Sequence, residues 1–264
     1  MEMKEWRRLA AQSVSLLLVV FICCICFSQR LQQSAQTEAH AEAKLSKGME
    51  EAKKQDEENV QEMEKTIQWE EAKKEVKGVV VLDAGHGGMD EGTSSKNGKY
   101  LEKDYTLLIV NRVKELLEES NIKVYYTRTD DRNVSKKKRT DLADRKKADL
   151  FISIHCNASS DGDTTANGLE ALYSMRTPKT GSIKNKELAK VMLEELSQAT
   201  GLRKRGVIRR EQLYLLHHAK VPTTIVEIGY MSNKDDLNFM KKEEGQKKIA
   251  QGICDGIARA LEEK

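Results

Sequence analysis

The 264-residue chain reads as an α/β protein with a mostly parallel central sheet and helices on both faces. An N-terminal transmembrane helix and a charged helical stalk precede that sheet. Three observations carry this reading. From Gly78 onward, short β-branched and aliphatic runs alternate with longer helix-patterned stretches, the order that builds parallel sheets. A charge-free, largely apolar run fills Leu9–Phe27. Between the two lies a segment without proline, dense in Glu, Lys, Gln and Ala.

Residues 1–30 form the first zone. Lys4, Arg7 and Arg8 precede the apolar run, and about 19 residues suffice to cross a hydrocarbon core of roughly 30 Å. No small-x-small cleavage site follows Phe27. Bulky residues precede Cys23 and Cys26, which argues against lipoprotein processing. An uncleaved anchor is therefore expected. The basic tip then stays in the cytoplasm and everything after Arg30 lies outside, which makes this a single-pass protein of the cell membrane.

Residues 31–77 form the stalk. Its charges alternate in short blocks that give i,i+4 pairing along a helix. Leu45, Met49 and Ala52, then Val60, Met63 and Ile67, follow helical spacing, but Asp56 interrupts the stripe. A coiled-coil dimer is thus only weakly supported, and a solvated single helix or a partly disordered stalk is the plainer expectation.

Residues 78–264 are the globular part. Strands are expected at Val79–Asp83, Lys123–Arg128, Leu150–Ile154, Leu169–Tyr173 and Thr223–Ile228. Helices are expected at Asp104–Ser120, Val134–Lys147, Ile183–Thr200 and Glu243–Glu262. A region of this length buries a full core by itself. The net charge of +3 and the lack of a basic stripe interleaved with aromatics exclude a nucleic-acid partner. The local basic clusters Lys136–Arg139 and Arg203–Arg210 read as solvated faces, with a modest role in attracting an anionic polymer as the alternative. The five cysteines show no disulfide or zinc-knuckle spacing. Strand alternation turns Cys156 away from His155 and into the core.

Two histidines stand where apolar runs stop: His86 ends GVVVLDAGH and His155 ends DLFISIH. Ligands and chemistry collect at the carboxyl ends of strands in open α/β sheets. Zinc hydrolases take three ligands from His and Asp/Glu and keep a fourth position open. Glu102 follows a turn-rich loop that can fold it back toward His86; Asp90 and Glu91 on the same loop are alternatives. Glu227 ends an apolar strand and suits proton transfer from the attacking water. Asp83 reads either as a partner orienting His86 or as a turn residue. Glu170 either lines the site or sits at a sheet edge. Asn157 and Asn233 read as turn residues, and His217 and His218 as surface residues.

The motifs DAGHGG, LEKD, SIHCNA and VEIGYMSN occur in this order across Gly78–Lys264. This part of the chain resembles the zinc-dependent N-acetylmuramoyl-L-alanine amidases of the type-3 family, which are cell-wall hydrolases. The resemblance implies zinc held by His86, Glu102 and His155, with Glu227 as the catalytic glutamate. It also implies peptidoglycan as substrate, cut at the amide between N-acetylmuramic acid and L-alanine. The backbone N–H groups of Gly87 and Gly88 are expected to assist at the oxyanion. Relatives commonly carry an arginine near His217, and some carry a blocking helix after the third motif. Ser159–Asn167 is too short for such a helix. A spore-cortex amidase of the same family and a zinc peptidase acting on stem peptides remain as alternatives.

Overall fold

The computed structural model describes residues 30, 44, 46–50, 53–57, 59–63, 76–159 and 163–263. Chain contacts divide it into two units, Met1–Ala72 and Lys73–Lys264. In the first unit the described residues are helical and exposed, including Met49, Val60 and Met63 of the stalk stripe. The expected membrane span, Leu9–Phe27, lies outside the described residues. Among those described, no helix is long and apolar enough to cross a membrane.

The second unit is a six-stranded sheet flanked by helices. Its strands are β1 (Gly78–Ala84), β2 (Ile122–Tyr126), β3 (Leu150–Asn157), β4 (Leu169–Tyr173), β5 (Lys204–Arg209) and β6 (Thr223–Tyr230). They lie in the order β2-β1-β3-β6-β4-β5. β2, β1, β3 and β6 run parallel, β4 pairs antiparallel to β6, and β5 runs parallel to β4. The sheet is therefore mostly parallel, with one reversal between β6 and β4.

The helices are α1 (Glu102–Leu117), α2 (Lys136–Lys146), α3 (Asn185–Thr200), α4 (Tyr214–His218), α5 (Lys234–Lys241) and α6 (Glu243–Glu262). Strand alternation sorts the core into two layers. Val80, Leu82, Ile152, Ile154, Val226 and Ile228 face Ile109 and Val113 of α1, Met192 and Leu196 of α3, and Ile253 and Ile257 of α6. Val81, Phe151, Leu172 and Ile225 face Ala143 of α2 and Leu215 and Leu216 of α4. Both faces of the sheet are thus covered, as the unbroken apolar strands require.

Three elements go beyond the sequence reading. β5 was expected as part of a solvated basic face. It is an edge strand, with Val207 and Ile208 its only aliphatic residues, so its apolar pattern is too thin to register. α4 spans five residues and α5 eight, both shorter than periodicity resolves.

Candidate active site

The expected site residues lie at one rim of the sheet, the end where β1, β3 and β6 finish. The reversal of β4 and β5 brings their first residues to the same end. β1 stops at Ala84 and the chain turns sharply. His86 (φ 61°), Gly87 (φ 127°) and Gly88 (φ 61°) all have positive φ, outside the ordinary range for L residues. A left-handed histidine is uncommon and needs its surroundings to hold it.

Two buried arginines do so. Arg139 pairs with the Asp83 carboxylate and donates to the carbonyls of Ala84 (2.7 Å) and His86 (2.7 Å). Arg128, fully buried, donates to the carbonyls of Ala84 (2.9 Å), Gly85 (2.8 Å) and Lys103 (2.8 Å). Lys103 reaches back to the Gly88 carbonyl at 2.9 Å and to Asp131 at 2.8 Å. The turn that carries His86 is thereby clamped to the start of α1. Asp83 also accepts from Thr127 and Ser153. It is the hub of this clamp and is fully taken up by these three partners rather than by the His86 ring.

Glu102 opens α1 and is buried. Its Oε1 lies 2.9 Å from His155 Nδ1, and its Oε2 lies 3.2 Å from His86 Nε2. The backbone N–H groups of Cys156 and Thr93 donate to the same carboxylate at 2.9 and 2.8 Å. His86 and His155 meet edge to face, with ring centroids 4.9 Å apart. One ligand atom from each of His86, Glu102 and His155 lies within 4.8 Å of the others. Two imidazoles and a carboxylate form a donor set suited to zinc. Asp90, an alternative ligand in the sequence, binds His86 Nδ1 at 2.7 Å instead and fixes the ring. Glu91 is exposed, and its carbonyl accepts from Lys103 N–H.

Burial opposes ionisation of Glu102, but hydrogen bonds from His155 and His86 outweigh it and hold the carboxyl well below the usual range. Burial likewise opposes the charged form of both histidines, and Glu102 outweighs it, raising both. The carboxylate therefore ties the two imidazoles into one hydrogen-bonded cluster.

Close approach is written into two glycines. A Cβ on Gly85 would lie 2.5 Å from the His155 ring, and one on Gly92 2.5 Å from Glu102 Oε2. Cys156 points to the opposite, core-facing side, as strand alternation requires.

Glu227 stands beside His155 in the β3–β6 register. Its Oε2 is buried with no hydrogen-bond partner among the described residues. Burial lifts its carboxyl to about 7, with the charges of Glu102 and Glu170 adding to the rise and His155 opposing it. The structure thus gathers all four expected residues at one rim.

The expected oxyanion donors do not stand free. Gly87 N–H donates to the Asp90 carbonyl and Gly88 N–H to Asp131 Oδ1, because the tight turn uses its own amides. Glu170 lines the rim: it is buried, opposite Glu227 on β4, and accepts from Asn157, Tyr230 and Arg205. Asn233 caps α5, accepting from the N–H groups of Asp235 and Asp236. His217 and His218 are exposed on α4, with His218 stacked on Tyr214 at 3.9 Å, and Arg176 donates to the His217 carbonyl. Between β3 and β4 the described residues form no helix. The clamp arginines were not found in the sequence: Arg139 was expected on the solvated face Lys136–Arg139 but is buried, because it turns inward to the Asp83 carboxylate, and Arg128, two residues past the end of β2, is buried as well.

The family profile described as N-acetylmuramoyl-L-alanine amidase matches residues 80–259. The chain belongs to this family. It is 32% identical over 200 residues to the germination-specific N-acetylmuramoyl-L-alanine amidase of Bacillus subtilis, covering 70% of this chain and 81% of that protein. It is 36% identical over 180 residues to the probable cell wall amidase LytH of Staphylococcus aureus, covering 67% of this chain and 56% of LytH. The chain thus spans little more than half of LytH. Among solved structures, the CwlD amidase of Clostridioides difficile in complex with the GerS lipoprotein superposes with a TM-score of 0.64 at 31% identity. That match covers 71% of this chain and all of CwlD. Membership makes the protein a hydrolase of the N-acetylmuramoyl-L-alanine amidase class.

Proposed function

We propose that this amidase cuts peptidoglycan at the amide joining the lactyl group of N-acetylmuramic acid to the L-alanine of the stem peptide. His86, Glu102 and His155 would hold zinc, and Glu227 transfers the proton. The observation that carries this reading is the convergence of the two histidines and Glu102 beside an unpartnered, buried glutamate. When bound, zinc supplies a Lewis acid and lowers the pKa of a water from near 16 toward about 7.

Glu227 takes the proton of the attacking water as the C–O bond forms, then delivers it to the alanine nitrogen as the C–N bond breaks. A carboxyl near neutrality suits both directions of transfer. Asp90 and the arginine clamp keep His86 oriented, so the donor set is assembled before substrate arrives. The products are a free lactyl carboxylate and a stem peptide with a free L-alanine amine.

The same proposal places the enzyme outside the cytoplasm, tethered through Leu9–Phe27. The charge-free run and the basic residues before it support this. The germination-specific relative, matched over four fifths of its length, favours the spore cortex as a second substrate reading.

The test is to incubate the full chain in detergent, zinc-loaded, with vegetative and with cortex peptidoglycan, and to identify products by mass spectrometry. Stem peptides with an L-alanine amino terminus, abolished by chelator, are expected. Cleavage between amino acids would instead make the protein a peptidase.

A further inference from the structure

Two irregularities in the sheet converge on one side chain. Between β4 and β5, Leu169 pairs with Lys204 and Glu170 with Gly206, so Arg205 is an extra residue bulged out of register. Between β3 and β6, His155 pairs with Glu227 but Asn157 pairs with Tyr230, so β6 also carries an extra residue. Both bulges use a glycine with positive φ, Gly206 (150°) and Gly229 (145°). Bulges re-aim side chains, and they recur beside active sites. Here the second one swings Tyr230 onto the face of Glu227, and the first sends Arg205 to the same place.

The result is a built cation. Arg205 Nε donates to Glu170 Oε1 at 2.7 Å, and the guanidinium lies over the Tyr230 ring at 5.0 Å. Tyr230 Oη donates to the same Glu170 oxygen at 2.9 Å, and Asn157 Nδ2 donates to Oε2 at 3.1 Å. Both oxygens of the buried Glu170 are thus engaged, and its job is to hold the arginine. Neither Nη atom of Arg205 has a partner among the described residues, and the side chain keeps 31% of its surface exposed. A rigid, half-open guanidinium edge is a bidentate receptor for a carboxylate.

Its position fits the stem peptide. Glu170 and Glu227 face each other directly across the β4–β6 pair, with Cβ atoms about 5 Å apart. Arg205 lies one side chain further out. A peptide leaving the scissile amide advances at most about 3.6 Å per residue, so its second or third residue reaches this arginine. Those residues carry the acidic groups of the stem.

We propose that Arg205 is a specificity-determining residue that binds a stem-peptide carboxylate, held in place by Glu170 and Tyr230. This rests on the amidase reading above.

The test compares kcat/KM of the full-length, zinc-loaded enzyme on three soluble muropeptides. One has free stem carboxylates, one carries an amide at the second residue, and one an amide at the third. Wild type is expected to prefer the free acid about tenfold or more over one of the two amides, and that amide identifies the carboxylate bound. Arg205→Ala is expected to collapse this ratio toward one, mainly through KM. Arg205→Lys, which keeps the charge but loses the fork, is expected to give an intermediate ratio and serves if the alanine variant does not fold. Equal turnover of all three substrates by wild type would overturn the inference while leaving the amidase reading intact. So would a ratio that survives in both variants. Failure to release any stem peptide at the muramic acid amide would overturn both.

Discussion

Glu227 shows how a single position can be read for chemistry. It is the one buried side-chain oxygen without a hydrogen-bond partner among the described residues. Glu227→Gln removes the proton carrier and keeps the shape. We expect activity on peptidoglycan to fall about 10²-fold or more, with zinc content by atomic absorption unchanged. Loss of zinc together with activity would instead make Glu227 part of the metal's support. Gly85 gives the complementary case. A methyl group there meets the His155 ring at 2.5 Å and has no flexible atom to displace. Gly85→Ala is therefore expected to weaken zinc binding at least tenfold in chelator competition, with unfolding measured alongside to show a folded domain.

At the scale of elements, the clamp on the β1–α1 connection is the decisive device. Arg139 joins α2 to the Asp83 carboxylate and to the His86 carbonyl, and both members of the Arg139–Asp83 ion pair are buried. Breaking a buried ion pair by removing one member leaves an uncompensated charge. Arg139→Met should cost about 3–5 kcal/mol in denaturant unfolding, and zinc affinity should fall with it. A cost under about 1 kcal/mol would show that water replaces the guanidinium. The long elements were legible in the sequence because their apolar periods are strong: α6 spans Glu243–Glu262 and β4 spans Leu169–Tyr173, both as expected. The four rim residues were legible because His86, His155 and Glu227 each follow an apolar run and Glu102 opens a helix. The direction of β4 was not, since a five-residue apolar run is the same read either way. Nor were the bulges at Arg205 and Gly229, which exist only as mismatches between two strands distant in sequence.

For the whole molecule, the cluster of His86, Glu102 and His155, with Glu227 beside it, sets the response to pH in the metal-free state. His86 and His155 are raised above 6.5 by Glu102, so their stabilisation is complete below that value and is lost as pH climbs through their folded pKa. Glu227 acts in the same direction. The unfolded chain ionises it from about 4.5, the folded one only near 7, so a penalty accumulates between those values. Glu102, held low, contributes stability above 4.5 that disappears only as pH falls into the strongly acid range. Urea midpoints of the chelator-treated protein should therefore decline from pH 6 to pH 8, less steeply in Glu227→Gln. A flat or rising series would contradict the assignment.

The reversal between β6 and β4 has a different kind of consequence. In a wholly parallel sheet, the segments departing from strand ends would crowd the reacting centre on all sides. Here the segments arriving at β4 and β5 border it on one side, while β1, β3 and β6 carry the histidines and Glu227 on the other. The molecule thus separates a fixed reactive half from an interchangeable one. On the proposed function, the segments that deliver Glu170 and Arg205 could differ in length while the strands that bear His155 and Glu227 keep their register, and one hydrolytic core would then be fitted to differently decorated walls by exchanging only those segments.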